Sequence, residues 1–199
     1  MDANRSLANA VEGDPKATSA WYYWTNFINI AKHISLQEFG SCQVFDIHGN
    51  SANHKVQMGY SLPGSIFEKG PVQVHLNSTF LSLHYLVRQR YRNEFSKLVD
   101  LLLGQKSFAH LLDSLHFPSA PLLPFSETQP VDFGGPLYYN GGFNTYSHFS
   151  HYGIYNCNAI QIEIPSLLRM NSITRTQFST ALAKSILLFL KFHYDLTFF

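Results

Sequence analysis

The sequence predicts a single α/β domain in which buried strands form one open sheet covered by helices. Three observations predict this fold class. The chain has 199 residues, a length typical of one domain. Apolar residues recur at helical spacing near both ends of the chain, and two short β-branched runs occur along it. The resulting order of helix, strand, helices, strand and helix is typical of a mixed or parallel sheet.

The first helix is predicted to begin at Asp14 and Pro15, because an aspartate caps a helix and a proline suits its first position. Gly40 is expected to end it. The run from Gln43 to Gly49 predicts a buried strand, and turn-forming residues over 50–78 predict a loop with one or two short strands. The apolar face of the first helix is predicted to contain Trp21, Trp24, Phe27, Ile28, Ala31 and Ile34.

From Thr79 onward the chain is predicted to contain three helices and a strand. Helical spacing extends over most of Thr79 to Leu103, and a shorter helix is predicted from Ser107 to Leu115. Residues 117–136 contain five prolines and predict a long ordered loop. A second apolar strand is predicted from Ala159 to Pro165, and a terminal amphipathic helix from Thr174 to His193.

The composition excludes several functional classes. Charged residues make up 14% of the chain and the net charge is +1 with histidine neutral, so neither nucleic acid nor an anionic membrane is expected as a partner. The first twenty residues lack the apolar region of a signal peptide, and the longest apolar run, Ile186 to Leu190, is too short to span a bilayer. Two cysteines do not indicate a disulfide scaffold, so Cys42 is expected to be a buried structural residue and the protein to be cytoplasmic.

Two polar groups are predicted at the carboxyl ends of the two strands, where sites in open α/β sheets lie. Asp46 and His48 are two residues apart and therefore share a face of their strand. His48 suits a metal ligand that Asp46 orients, and the alternative is a histidine hydrogen-bonded in a turn. Glu163 interrupts an apolar strand and suits a general base, and the alternative is a carboxylate that faces solvent.

Other candidate residues lie near the amino terminus and in loops. Arg5, which follows Asn4, suits the gripping of a carboxylate, and the alternative is an ordinary solvated charge. His54, His148 and His151 lie in loops rich in glycine and asparagine. Such loops often carry function, and the alternative for all three histidines is a surface position.

Six short motifs follow one another along the chain. They are Asp2-Ala3-Asn4-Arg5, Glu12-Gly13-Asp14-Pro15, Phe45-Asp46-Ile47-His48-Gly49, Met58-Gly59-Tyr60, Tyr139-Asn140-Gly141-Gly142-Phe143-Asn144-Thr145 and Ala159-Ile160-Gln161-Ile162-Glu163. In these motifs and in their order, the chain resembles the N-formylglutamate amidohydrolases, a family of zinc-dependent amide hydrolases. The resemblance spans nearly all of residues 1–199, and the family is similar in fold and site to the zinc carboxypeptidases.

The resemblance implies a zinc carboxypeptidase-like fold, also described as phosphorylase-hydrolase-like, with an open mixed sheet and helices on both faces. It implies that His48 is the third zinc ligand and that Glu163 is the general base. It also implies that the Asn4–Arg5 pair binds a substrate carboxylate. The Gly141–Gly142 pair, in turn, is expected to shape the substrate pocket.

The chain also departs from the family pattern. The family's first two metal ligands, a histidine and a glutamate, precede the Asn-Arg pair, whereas here only Met1 to Ala3 precede Asn4. An arginine that is usual after the His-Gly motif is replaced by Val56-Gln57. We therefore expect residues 1–199 to form an N-formylglutamate amidohydrolase-like domain that lacks its N-terminal metal-ligand segment. We also expect it to purify with well under one zinc per chain.

Two functions stay open at this point. The first is zinc-dependent hydrolysis of an N-acyl or N-formyl amide bond in a small carboxylate-bearing molecule. The second is a non-catalytic binding domain that keeps the fold and has lost the metal site.

Overall fold

A computed structural model describes residues 15–51, 54–69, 71–77, 80–122, 141–148 and 156–196, and its four strands form one open sheet. The strands are β1 (Cys42–Asn50), β2 (Val56–Gly59), β3 (Ser119–Ala120) and β4 (Cys157–Pro165), in the order β1-β4-β2-β3. β4 pairs in parallel with β1 and antiparallel with β2, and β2 pairs in parallel with β3. The expected mixed α/β sheet is confirmed, and the two strands predicted from the sequence are neighbours.

Among the described residues, one helix precedes the first strand, several helices lie between β2 and β4, and two helices follow β4. None of the described helices is long and apolar enough to cross a membrane. The last helix begins where the side chain of Asn171 accepts hydrogen bonds from the backbone N–H groups of Ile173 and Thr174. The helical elements are α1 (Pro15–Phe39), α2 (Gly64–Glu68), α3 (Pro71–Leu76), a π-helical turn (Leu86–Arg90), α4 (Phe95–Leu103), α5 (Phe108–Asp113), α6 (Phe143–His148), α7 (Ser166–Met170) and α8 (Ser172–Tyr194).

The apolar core lies on one face of the sheet. On that face Phe45 of β1 packs against Phe108 of α5 and Phe189 of α8, with ring centroids 5.3 and 6.2 Å apart. All nine residues of β4 are buried, as expected for a strand with a neighbour on each side. Because side chains alternate along a strand, Asp46 and His48 of β1 and Gln161 and Glu163 of β4 point to the opposite face.

The predicted first helix is present from Pro15 to Phe39, and the predicted cap Asp14 lies outside the described residues. Its apolar face, however, is not covered by the described part of the chain. The side chains of Trp24, Phe27 and Ile34 are 54%, 57% and 55% exposed. Helical spacing therefore predicted the helix correctly without showing what covers it.

The prediction that Thr79 to Leu103 is largely helical agrees with the structure, but the helical residues fall into two separate segments, and Thr79 itself lies outside the described residues. The π-helical turn ends at Arg90, and α4 begins only at Phe95. Between them Arg92 and Asn93 have φ angles of 48° and 59°. Left-handed residues cannot continue a right-handed helix, so they break the apolar repeat into two elements.

Cys42 is buried, as expected, and it forms a disulfide with Cys157, which was not expected. Cys42 begins β1 and Cys157 begins β4, and the two are register partners with Cα atoms 4.5 Å apart. Both residues are buried. The bond therefore ties the amino ends of the same two strands whose carboxyl ends carry the candidate site.

Candidate functional site

The pairing of β1 with β4 brings the two predicted polar groups together. His48 is the register partner of Glu163, and Asp46 is the register partner of Gln161. Register partners on adjacent strands point to the same face, and adjacent strands lie about 4.8 Å apart. The prediction that His48 and Glu163 share one face of neighbouring strands is therefore confirmed. We call the four residues Asp46, His48, Gln161 and Glu163 the polar cluster.

Within the polar cluster, the carboxylate of Asp46 contacts the imidazole of His48. Asp46 Oδ2 lies 3.0 Å from His48 Nε2, and the two side chains are 13% and 25% exposed. In many zinc sites a carboxylate holds one imidazole nitrogen while the other nitrogen binds the metal. The contact is consistent with an orienting role for Asp46, and that role stays a prediction. The contact equally suits a histidine that exchanges protons with a ligand.

Glu163 is buried, at 7% exposure, so the alternative that it faces solvent is wrong. Gln161 Nε2 donates a hydrogen bond to Glu163 Oε1 over 3.0 Å. Burial raises the pKa of Glu163, and the nearby carboxylate of Asp46 adds to this, whereas His48 and Arg169 oppose it. A carboxylate whose pKa is raised toward neutrality can both accept and return a proton at physiological pH.

Gln57 extends the polar cluster onto the third strand. It is the register partner of Glu163 on β2 and is 4% exposed. Its Oε1 atom has no hydrogen-bond partner among the described residues. From the sequence, Gln57 is only a departure from a family pattern, because the antiparallel pairing of β2 with β4 has no local sequence signal. Three strands thus contribute His48, Glu163 and Gln57 to one row.

The predicted Gly141–Gly142 pair lies against the polar cluster. A Cβ atom at Gly142 would be 3.3 Å from Nε2 of Gln161, so the backbone approaches this side chain closely. Gly141 has a φ of 93°, which favours glycine. α6 follows directly and packs against β4 and β1. The role of the pair in shaping a pocket stays a prediction, and its position beside Gln161 is consistent with it.

Arg169 is a residue that the sequence analysis missed. It lies in α7, immediately after β4, and its guanidinium donates to two backbone carbonyls at the ends of β1 and β4. The positive charge of Arg169 lowers the pKa of Glu163. An arginine in a short helix carries no sequence signal for such a contact, because the acceptors are backbone atoms.

Several predicted site residues are not brought to the polar cluster by the described structure. Asn4, Arg5 and His151 lie outside the described residues. His54 is exposed just before β2, and His148 ends α6. In the described part of the chain, no group of three or more histidine, cysteine, aspartate or glutamate side chains is arranged to hold a metal ion.

Comparison with known proteins finds no matching family model, no matching curated protein and no matching solved structure. The resemblance to the N-formylglutamate amidohydrolases thus rests on the six sequence motifs. It stays a prediction, as do the roles that it implies for His48 and Glu163.

Proposed function

We propose that the polar cluster is the acid–base site of an amide hydrolase that acts on a small carboxylate-bearing molecule. The observation that carries the proposal is the register pairing of His48 with Glu163 on one face of adjacent parallel strands. Both residues lie near the carboxyl ends of these strands, which is where open α/β sheets place ligands.

Glu163 would act as the proton-transfer group in this reaction. Burial raises the pKa of Glu163, which favours transfer of a proton from an attacking water to the carboxylate and then to the leaving amine. The hydrogen bond from Gln161 fixes one carboxylate oxygen, so the orientation of the group is set before a ligand arrives. Asp46 Oδ2 contacts the imidazole of His48 over 3.0 Å and lies on the same face as Glu163.

Zinc is proposed as the metal because of the resemblance to a zinc-dependent family. A bound zinc ion would supply polarisation of the carbonyl and a more acidic water. His48, with Asp46 on one ring nitrogen, fits one ligand position. A catalytic zinc uses three protein ligands, and the described residues by themselves do not supply that set. The substrate carboxylate is assigned to Asn4 and Arg5, again through the resemblance.

A second candidate function is a non-catalytic domain that binds a small acidic ligand on the same face. The incomplete metal-ligand set among the described residues favours this candidate. Both candidate functions use the polar cluster as the ligand site, but only the hydrolase would turn the ligand over.

The disulfide bears on where the protein works. The cytoplasmic location was expected from two unpaired thiols, and Cys42 and Cys157 are bonded. Disulfides persist in oxidising compartments and are rare in the cytosol. We therefore propose an oxidising compartment in place of the cytoplasm.

Zinc content and hydrolysis of N-formyl-L-glutamate, measured on the same preparation, separate the two functions. As purified, we expect well under one zinc per chain, because tight binding needs several ligands acting together. Added zinc should then raise hydrolysis in the wild type and leave His48→Ala unaffected. Binding of N-formyl-L-glutamate without hydrolysis at any zinc concentration would favour the non-catalytic domain.

A further inference from the structure

The guanidinium of Arg169 joins the ends of the two strands that carry the candidate site. Its Nε donates to the carbonyl oxygen of Ile164 over 3.0 Å, and its Nη2 donates to the carbonyl oxygen of Asn50 over 3.1 Å. Ile164 follows Glu163 in β4, and Asn50 lies two residues after His48 in β1. One planar cation thus spans both strands next to the row that holds His48 and Glu163.

Gly49 shows on which side of the sheet this cation lies. A Cβ atom at Gly49 would be 2.5 Å from Cζ of Arg169, so the guanidinium packs directly on the Gly49 backbone. Gly49 alternates with His48 along β1, and its Cβ direction therefore points away from the polar cluster. Arg169 consequently lies on the face opposite to the polar cluster and cannot contact a ligand bound there.

We propose that Arg169 is a positioning residue that holds β1 and β4 together at their carboxyl ends, so that His48 and Glu163 stay adjacent. β1 is an edge strand, and β4 is its only neighbour in the sheet of the described chain. The edge would otherwise be free to fray at Asn50, where pairing with β4 ends. Two charge-assisted hydrogen bonds from a rigid fork oppose this motion. The importance of this positioning for catalysis rests on the proposed function, in which His48 and Glu163 belong to the acid–base site.

The charge of Arg169 acts on Glu163 from the same place. Arg169 and His48 lower the pKa of Glu163, while burial and Asp46 raise it. On β2 the facing residue, Gln57, is neutral. Loss of the arginine charge is therefore expected to raise the pKa of Glu163 further. This pKa reports only the charge of Arg169, and hydrogen exchange reports whether the guanidinium positions the two strands.

The test uses the full chain and two measurements that need no turnover. The first is the pKa of Glu163 from a site-resolved carbon-13 NMR titration, and the second is amide hydrogen exchange over the last three residues of β1. Arg169→Met removes both the positive charge and the planar guanidinium, whereas Arg169→Lys keeps the charge alone. Gly49→Ala displaces the guanidinium, because the added Cβ would overlap it. Lys184→Met on exposed α8 is the control for the loss of one positive charge.

Arg169→Met should raise the pKa of Glu163 and speed exchange on the order of tenfold or more, the effect of losing a charged hydrogen bond. Arg169→Lys should leave the pKa near that of the wild type and still speed exchange, because an ammonium cannot bridge both carbonyls. Gly49→Ala should speed exchange with Arg169 intact, and Lys184→Met should change neither quantity.

If Arg169→Lys and Gly49→Ala both leave exchange at the wild-type rate, the positioning role is wrong, even where Arg169→Met fails to fold. In an active preparation, Arg169→Met should lower kcat and leave KM nearly unchanged, since the residue is not on the ligand face. A wild type that hydrolyses nothing, while the pKa and exchange effects occur, would contradict the proposed function and leave the positioning role standing.

Discussion

Reduction of the Cys42–Cys157 bond should destabilise the protein strongly. The bond joins residues 115 positions apart, so opening it releases a long closed loop in the unfolded chain. In the chain-entropy treatment, a loop of this length corresponds to about 5 kcal/mol at 25 °C. We expect the free energy of unfolding to fall by roughly this amount, because the bonded residues are register partners in paired strands and the folded state needs no rearrangement to keep them adjacent.

The assay is urea unfolding of the wild type with and without a thiol reductant, followed by tryptophan fluorescence. The Cys42→Ala/Cys157→Ala double variant is the control, because its midpoint should not respond to the reductant. The disulfide lies six residues along each strand from His48 and Glu163, so the pKa of Glu163 should hardly change on reduction. A loss of less than about 1 kcal/mol in the reduced wild type would refute the loop argument.

Three further substitutions test the burial of polar groups. Tyr60→Phe should leave stability unchanged or raise it by up to about 1 kcal/mol, because the buried Tyr60 hydroxyl has no partner among the described residues; a clear loss would reveal one. Glu163→Gln should raise the melting temperature at pH 7, since burial raises the pKa of Glu163 and penalises its charged form. This gain in melting temperature should shrink as the pH falls through the raised pKa. An equal gain at every pH would show that the buried charge of Glu163 is not the cause. Burial also lowers the pKa of His193, whose imidazole contacts the hydroxyl of Tyr91 at 2.5 Å and the carbonyl of Lys106 at 2.9 Å. The contribution of neutral His193 to the free energy of unfolding should be complete above about pH 6.5, the ordinary pKa of histidine, and should fall as the pH drops through the lowered pKa. His193→Gln should remove this pH dependence of the free energy of unfolding.

Much of the site framework follows from local sequence pattern. Strand alternation places Asp46 and His48 on one face, and the apolar runs around them and around Glu163 predict both strands. The prediction that these strands are neighbours came from two apolar strands with helices between them, and the pairing of β1 with β4 confirms it.

The features that were missed depend on tertiary contacts. Gln57 joins the row only because β2 pairs antiparallel with β4, and Arg169 binds backbone carbonyls that any sequence would provide. The disulfide depends on the register between β1 and β4, which brings Cys42 opposite Cys157. None of these contacts has a fixed spacing along the chain, so no motif could have predicted them.

The most direct test of the proposed function is hydrolysis of N-formyl-L-glutamate by the wild type and by Glu163→Gln, both with excess zinc. A glutamine is close to isosteric with Glu163, so the variant should keep the fold. Its melting temperature and the retention of the hydrogen bond with Gln161 would test this. If Glu163 transfers the proton, turnover should fall by at least about 100-fold, the usual contribution of a positioned acid–base group. Turnover within twofold of the wild type in a folded Glu163→Gln variant would contradict the account.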